Sequence, residues 1–395
     1  MDKLIYMDNA ATTSTAPEVV SAMLPFFTEY YGNPSSVYNF AQKSKMAIED
    51  AREIIADSIG AAKSNEIYFT GGGSESDNWA LKSAAFGLRN KGNHIITTKI
   101  EHHAILNTCA YLEKNGFEIT YLDVDSEGFV SLEDVENAIT EKTILISVMF
   151  ANNEIGTIEP VCEIGEIAHK HGILFHTDAV QAMCHVPINV TEMNIDLLSA
   201  SAHKFHGPKG VGFMYMKNSA KLEPFIHGGA QERARRAGTS NVPGIVGMGQ
   251  AVKLALSTLD KDTHTIINMH NYIVDRILGE IPDVTFDGPC IDANAVSAGS
   301  PAGSIKRLPS NMHFCFKDVS GDSLLIMLDM NGICASSGSA CAAGSIDPSH
   351  VLLAIGRSKG ETKGALRLSI DKDLTKEDAD YAIDALKAAV ARLRR

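Results

Sequence analysis

Three features that would narrow the protein's class are missing from the sequence: a long apolar run, an excess of basic residues and an N-terminal signal pattern. No apolar run approaches the roughly 18 to 20 residues that span a bilayer. The first nine residues lack the basic start and the long apolar middle of a signal peptide. Lys and Arg total 35 against 48 Asp and Glu, and the net charge of -13 opposes binding to nucleic acid. We therefore expect a cytoplasmic protein without direct contacts to membrane or nucleic acid.

Paired cysteine motifs are also missing. The 395-residue chain has seven cysteines, an odd number, and no CxxC pair, which argues against a disulfide framework and against a zinc site. Neither His102 and His103 nor His203 and His206 have a carboxylate or cysteine at a matching ligand spacing, so we expect no metal site there. Most of the cysteines are expected to be small buried residues.

Short apolar or β-branched runs alternate with helix-length segments through much of the chain. Five of these runs are residues 66–70, 94–98, 118–122, 143–149 and 173–176. The alternation is typical of α/β proteins in which helices cover both faces of a mostly parallel sheet. Later in the chain, helical spacing flanks the strand-like runs 312–316 and 365–369, which indicates a smaller α+β domain. We therefore expect a large domain over residues 15–258 and a small domain made of residues 1–14 and 259–395.

Lys204 lies in a short segment of hydroxyls, histidines and glycines between two apolar runs, residues 195–198 and 211–216. We expect both runs to be buried strands, which puts this lysine at the mouth of a sheet. Burial removes hydration from the amine and lowers its pKa, so more of it is free base that can form a Schiff base with an aldehyde. The alternative is an ordinary loop lysine whose ammonium group reaches water.

Other polar residues follow predicted strands at the edge where ligands of open α/β sheets bind. Gly73 and Ser74 lie in a glycine-rich turn before a helix, which suits a phosphate group or is simply a turn. His102 could be a loop histidine with ordinary partners, or could lie on an aromatic cofactor and transfer protons. Asp178 could cap the next helix or hold a protonated ring nitrogen, and Gln181 could donate a hydrogen bond to a ring oxygen.

Cys341 lies in a run of small residues from Ala335 to Gly344, which has no side chains able to form a packed core. A thiol there is more exposed than usual, and with an unshifted pKa of about 8.5 a few per cent of it is thiolate near neutrality. The alternatives are a buried spacer or a mobile linker. Arg367, on a strand of the second domain, offers a planar fork for a carboxylate or forms an ordinary surface ion pair.

Taken together, these segments resemble the cysteine desulfurases, which are pyridoxal 5'-phosphate enzymes of fold type I in aminotransferase class V. The match covers nearly the whole chain, and its motifs occur in the same order. The run around Cys341, with residues 348–352, resembles the branch that has a long mobile catalytic loop. The resemblance rests on residues 6–13, 32–36, 73–76, 101–102, 152–157, 176–181, 201–204, 236–239, 307–309 and 336–341.

The resemblance implies a mostly parallel seven-stranded sheet between helices, with a smaller α+β domain, and a set of cofactor contacts. Lys204 would hold pyridoxal phosphate covalently and move the substrate's α-proton, Asp178 would pair with the ring nitrogen, and His102 would stack on the ring as an acid or base. Gln181 and Asn153 would bond its phenolate edge. The phosphate would be held by Gly73, Ser74, Ser201 and His203, with Thr239 reaching it from the other subunit of a homodimer.

The same resemblance implies L-cysteine as the substrate, with its carboxylate held by Arg367 and Asn33. The Cys341 thiolate would attack the substrate sulfur and receive it as a persulfide, leaving L-alanine. The sulfur would then pass to an iron–sulfur scaffold or another acceptor protein, for cluster assembly or tRNA thiolation. One alternative is a class V transaminase, or a lyase for selenocysteine or cysteine sulfinate, in which Cys341 is dispensable. Another is a sulfur-relay or scaffold protein that keeps the fold without turnover.

Four places depart from the family's usual pattern. Tyr38 stands where a histidine is usual, and Gly73 with Ser74 replaces Ala-Thr. Residues 369–373 replace the usual Ser-Leu-Gly-Arg run, and residues 291–306 resemble an insertion that we expect to be a mobile surface segment. None of these changes removes a residue assigned to chemistry, although the altered run beside Arg367 bears on substrate preference.

Overall fold

A seven-stranded sheet forms the centre of the protein. The computed structural model describes residues 4–220, 222–291, 305–337 and 348–395. The described strands are β1 (Ile5–Tyr6), β2 (Ile67–Thr70), β3 (His94–Thr98), β4 (Glu118–Leu122), β5 (Thr143–Ser147), β6 (Leu174–Asp178), β7 (Leu197–Ser201), β8 (Gly212–Met216), β9 (Val284–Asp287), β10 (Asn311–Phe316), β11 (Ile333–Cys334) and β12 (Ala365–Ser369). In the large sheet the order is β2-β8-β7-β6-β5-β3-β4, with β8 antiparallel to both of its neighbours and the other pairs parallel. The predicted fold class is therefore confirmed.

Strand β7 extends three residues beyond residue 198, where the sequence predicts that the strand ends. Ser199 and Ser201 belong to β7 and pair with Met214 and Gly212 of β8. The sequence pattern assigns these serines to a loop because they are polar, but Ser199 is buried with its hydroxyl 3.0 Å from Nε2 of His176. A buried hydroxyl with a partner is compatible with a strand. Lys204 therefore follows the edge of the sheet almost directly.

Helices cover both faces of this sheet. On one face the core joins Ile55, Phe213 and Met248, and on the other it joins Trp79 and Leu145. Such two-sided burial explains why the strands read as apolar runs rather than as an alternation of apolar and polar residues. The described α-helices are α1 (Pro17–Met23), α2 (Pro25–Thr28), α3 (Asn39–Ser58), α4 (Gly73–Gly87), α5 (His103–Glu113), α6 (Leu132–Asn137), α7 (Val161–Lys170), α8 (Gln231–Ala234), α9 (Val242–Glu280), α10 (Gly321–Asp329), α11 (His350–Ala354) and α12 (Lys376–Leu393).

Helix α9 connects two hydrophobic cores. Its first part contributes Met248 and Val252 to a core of the large sheet, and its last part contributes Ile273 and Ile277 to a second core. The second core includes strands of the antiparallel sheet β12-β10-β9 and helix α12. By length and composition α9 could also cross a bilayer, but residues in both of its parts are buried in these cores. The proposed boundary at residue 258 falls inside this continuous helix of 39 residues.

An ion pair joins the segment after Lys204 to the segment after β12. Nε2 of His206 lies 3.2 Å from Oδ2 of Asp371, which belongs to the run that departs from the family pattern. The hydrogen bond to Asp371 raises the pKa of His206. Burial acts to raise the pKa of Asp371, but the hydrogen bond and the charge of His206, together with the Lys372 N–H, outweigh burial and lower that pKa. Both shifts favour the charged forms of the pair, which joins the two segments.

We expect the substitution His206→Gln to lower the free energy of unfolding by up to about 1 kcal/mol, because the pair is partly exposed. The folded pKa of His206 lies above its unfolded value of about 6.5, so its contribution is complete below that pH and is lost as pH rises through the folded value. The depressed pKa of Asp371 has the opposite effect in acid. Thermal unfolding at pH 5.5 and pH 9 should therefore show the larger loss at pH 5.5. The exposed His169→Gln serves as the control, and an equal loss at both pH values would contradict the prediction.

Candidate active site

A cavity of about 300 Å³ lies at the carboxyl ends of the parallel strands and is also lined by Arg367 of β12. This is the edge where open α/β sheets bind their ligands. Polar residues that are far apart in the sequence meet here. Those predicted from the sequence are Gly73, Ser74, His102, Asn153, Asp178, Gln181, Ser201, His203, Lys204 and Arg367.

The Lys204 side chain reaches into this cavity from a 3-10 turn, Ala202–Lys204, directly after β7. Its Nζ donates to the carbonyl oxygens of Ala10 and Ala11, at 2.6 and 2.8 Å. The Gln181 amide also donates to the Ala10 carbonyl, at 3.0 Å. The N-terminal segment therefore holds the amine and the amide on one wall of the cavity.

Two buried carboxyl groups, Asp77 and Asp178, line part of the cavity. Asp178 ends β6, and its Oδ1 accepts from the Val180 N–H at 2.9 Å within a turn, rather than capping a helix. Carboxylate oxygens of Asp77 and Asp178 and a ring nitrogen of His102 lie within 4.8 Å of one another. Burial raises the pKa of Asp178, and burial with the charge of Asp178 raises the pKa of Asp77 well above its usual range. Such a pair favours a positive charge beside it, which a protonated ring nitrogen would supply; the spacing is also compatible with a metal ion.

The His102 ring is oriented by its place at the start of α5. As the N-cap residue, it accepts the Ala104 N–H at Nδ1, at 3.1 Å. Nδ1 therefore carries no proton, and the neutral ring carries its hydrogen on Nε2. The preceding residue, Glu101, accepts from the Thr98 hydroxyl and the Met149 N–H, and burial raises its pKa to about 8. A largely neutral, buried Glu101 thus anchors the turn that presents His102.

The phosphate end of the predicted site is the start of α4. Gly72 has φ +148°, and a Cβ on Gly73 would come within 2.5 Å of Val180 Cγ2. The glycines therefore permit the backbone to approach the cavity where a side chain would collide. Ser74 and Ser201 add hydroxyl groups to the same wall. Free N–H groups at the first turn of this 15-residue helix suit an anion.

Charges around this turn are arranged to leave the anion site without a competing carboxylate. Glu75 lies in the first turn of α4, and it accepts two hydrogen bonds from Arg236, at 2.8 and 3.0 Å.

Nδ1 of His203, another residue of the predicted phosphate site, lies 3.1 Å from Oγ1 of Thr12. Burial, with the charges of Lys204 and Lys209, lowers the pKa of His203 to about 4. His203 is therefore a neutral polar group near pH 7.

Arg367 is buried and lines the same cavity. Nη1 donates to the carbonyl oxygen of Asn153 and Nη2 to Oδ1 of Asp8, both at 2.9 Å. Its backbone pairs with Ser336, whose N–H donates to the Arg367 carbonyl at 3.2 Å. Ser336 precedes Cys341 in the sequence, so the chain that leads to Cys341 begins at a residue that is hydrogen-bonded to the cavity-lining Arg367.

Three predicted residues are not part of the described cavity wall. Asn33 is exposed, and its Oδ1 accepts from the Ser35 N–H at 3.0 Å. Thr239 is exposed as well. Cys341 lies outside the described residues. The expected insertion at 291–306 also falls mostly outside them.

Four further polar residues line the cavity without having been predicted: Asp77, His103, Glu154 and His350. Asp77 could have been predicted from the sequence, because it lies four residues after Gly73 and therefore on the same face of α4. Glu154 lies within the motif 152–157, next to Asn153. His103 and His350 come together only through the fold, with ring centroids 4.8 Å apart.

Comparison with known proteins identifies the same family that the sequence motifs resemble. The aminotransferase class-V family matches residues 5–382. A protein of Clostridium botulinum (strain Hall) described as cysteine desulfurase IscS is 54% identical over 394 residues, which cover 100% of this chain and 96% of that protein. A solved NifS-like protein superposes with a TM-score of 0.89 at 35% identity, covering 99% of this chain and 100% of that one. A structure described as SspA in complex with cysteine gives a TM-score of 0.78 at 38% identity, covering 93% of this chain and 99% of that one. The chain therefore belongs to the aminotransferase class-V family and, within it, to the cysteine desulfurases, which are pyridoxal-phosphate-dependent enzymes.

Proposed function

We propose that this enzyme converts L-cysteine into L-alanine and transfers the sulfur to Cys341 as a persulfide. The observation that carries the proposal is the meeting of Lys204, Asp178 and Arg367 around one cavity. These residues offer an amine for the cofactor aldehyde, a carboxylate for its ring nitrogen and a guanidinium for the substrate carboxylate. The cysteine in the related SspA structure supports the choice of substrate.

The residues present fit pyridoxal phosphate. The start of α4 brings backbone N–H groups and the Ser74 hydroxyl to the cavity, where they suit a phosphate group. Asp77 keeps a buried Oδ1 without a hydrogen-bond partner within the described residues, beside Asp178, and this part of the wall suits a cationic ring nitrogen. Gly73, Ser74, Ser201 and His203 would hold the phosphate, while Gln181 and Asn153 would face the phenolate edge.

Three residues around the cofactor would each have a separate role in the reaction. When bound, pyridoxal phosphate withdraws electrons from the substrate and makes its α-carbon acidic. Lys204 Nζ would take the α-proton and return a proton to the product. Asp178 would keep the ring nitrogen protonated, because a buried carboxylate stabilises the adjacent cation. His102, which presents Nε2–H, would donate a proton during cleavage of the carbon–sulfur bond.

Arg367 would bind the substrate carboxylate through its planar guanidinium. The two hydrogen bonds to Asn153 and Asp8 hold this group rigid, so little rotamer entropy remains to be lost when substrate binds. Asn33 would add a second contact if its segment closes on the cavity in the assembled enzyme.

We propose a homodimer in which Thr239 of one subunit reaches the phosphate of the other. Support comes from an apolar surface on residues 20–46, where large side chains are exposed: Val37 at 95%, Tyr31 at 70% and Met46 at 63%. Large apolar side chains that are exposed in one part of the chain favour a protein interface there. The sulfur acceptor is proposed to be an iron–sulfur scaffold or another acceptor protein, such as one serving tRNA thiolation, and the location to be cytoplasmic.

The direct test of the proposal is a map of where sulfur goes. The holoenzyme is incubated with L-cysteine, alkylated to trap persulfides, digested and analysed by mass spectrometry. We expect one added sulfur on the peptide that contains Cys341, together with one equivalent of alanine. Alanine without sulfur on this peptide would contradict the proposal.

We expect Asp178→Asn to lower kcat on the order of 10²-fold with a smaller change in KM. An amide cannot neutralise the ring nitrogen, so the cofactor loses electron-withdrawing power that is needed in the transition state. Initial rates and the absorbance of bound cofactor should be measured for this variant and for Asp123→Asn, whose carboxylate is exposed and bonded to Lys99. Wild-type kcat with normal cofactor content in Asp178→Asn would exclude this role.

A further inference from the structure

Part of the cavity wall forms a chain of contacts from the predicted carboxylate-binding arginine to the first residue of α5, which follows the predicted ring-stacking histidine. Arg367 donates to the Asn153 carbonyl, and the next residue, Glu154, accepts the Ser349 hydroxyl at 2.6 Å. The next residue after Ser349 is His350, whose ring packs 4.8 Å from that of His103. This wall therefore contains a pair of imidazoles, His103 and His350, that has no role in the mechanism described above.

The sulfur transfer requires proton movement at two separate places. When a thiol attacks the substrate sulfur, its S–H bond breaks and the proton leaves, while the electron pair on its sulfur forms the S–S bond. The electron pair of the broken C–S bond remains on carbon, which takes up a proton to become the methyl group of alanine. No oxidant is needed. His102, with Nδ1 occupied by Ala104 N–H and a hydrogen on Nε2, suits the donor step. The acceptor step needs another group.

We propose that His103 is the base that accepts the proton of the attacking thiol, and that His350 positions it; this rests on the proposed transfer of sulfur to a cysteine thiol. Nε2 of His350 lies 2.9 Å from the Glu101 carbonyl oxygen, which can only accept, so Nε2 carries a hydrogen and the ring is fixed. His103 is half-buried at the first position of α5 and lines the cavity.

The electrostatic surroundings favour this role. Burial lowers the pKa of His103, and the neighbouring rings of His350 and His102 lower it further, whereas Glu154 acts to raise it. His103 is therefore neutral near pH 7 and can accept a proton. Once it is protonated, the Glu154 carboxylate stabilises the cation. Among the described residues, His102, His350 and Glu154 are the titratable groups that interact with it.

The test compares the rates of persulfide formation of wild type and His103→Gln across pH. Without the base, the reaction depends on thiol that ionises on its own, with a pKa of about 8.5. We expect the rate to fall on the order of 10²-fold at pH 7 and to recover to within about threefold of wild type at pH 9.5. A ratio that stays constant with pH indicates a purely structural role and overturns the proposal, as does a wild-type rate at pH 7.

Controls separate this inference from the proposed function. His169→Gln removes an exposed histidine on α7 and should behave as wild type. Cofactor absorbance and thermal unfolding verify that the variant is folded, and His103→Asn replaces it if it is not. If wild type itself forms no persulfide on Cys341, the proposed function fails; if wild type forms it and His103→Gln is unimpaired, only the role of His103 fails.

Discussion

Replacing Lys204 by alanine is expected to lower the rate of L-cysteine desulfuration by at least about 10³-fold. The lysine is the amine that binds the cofactor and the base that moves the α-proton, so one substitution removes both functions. Its Nζ is held at the cavity wall by the Ala10 and Ala11 carbonyl oxygens. Loss of these two bonds should cost only about 1 to 3 kcal/mol of stability, and the protein should still fold.

Alanine production and the absorbance of bound cofactor measure the effect. Lys209→Ala is the matched control, because that lysine lies five positions further, is exposed and donates to the Thr13 carbonyl. We expect it to retain near-normal turnover. An Lys204→Ala variant that retains more than a tenth of wild-type activity would show that another amine performs these steps.

The large sheet could be predicted from the sequence because its signals are local. The predicted strands at 94–98 and 118–122 match β3 and β4 to the residue. Once strands and order of connection are known, the carboxyl edge of a parallel sheet collects the residues that follow each strand. Asp178 and Lys204 meet there for that reason, although neither residue alone distinguishes a site from an ordinary turn.

Helix α9 could not be predicted as one element. The spacing of Ile266 and Ile273 indicates a helix only from about residue 262, whereas the structure has a continuous helix from Val242. Its first turns contain glycines, which have a poor intrinsic preference for helix. The tertiary structure explains them: a Cβ on Gly249 would come within 2.8 Å of the Ala51 Cβ, so glycine permits close packing against α3.

The unpredicted part of the site depends on contacts between distant segments. His350 bonds to the Glu101 carbonyl across a separation of 249 residues, and Ser349 bonds to Glu154 across 195. No periodic pattern in the sequence indicates a contact between residues so far apart in the chain. These bonds also hold the chain that follows residue 347 at the cavity wall, while pairing of Ser336 with Arg367 holds the chain that precedes residue 338. The segment containing Cys341 is therefore tied to the cavity at both of its described ends.

The substitution Cys341→Ala is expected to abolish persulfide formation and to lower sulfide release from L-cysteine by at least about 10³-fold. In the proposed transfer the substrate sulfur passes to a nucleophile while the electron pair of the C–S bond stays on carbon, and a thiolate is the side chain suited to that attack and to holding the sulfur as a persulfide. An alanine methyl group offers no electron pair. The cofactor absorbance should persist, because the cofactor contacts proposed above do not include Cys341.

Cys290→Ala provides the comparison, because Cys290 is an exposed thiol among the described residues. If surface thiols received the sulfur, both variants would be impaired, whereas the proposed mechanism predicts a loss in Cys341→Ala alone. Undiminished alanine formation in Cys341→Ala would favour a lyase or transaminase in which the cysteine is dispensable. The flanking residues Ser336 and Ser349 are both hydrogen-bonded to residues of the cavity wall, and this favours the opposite result.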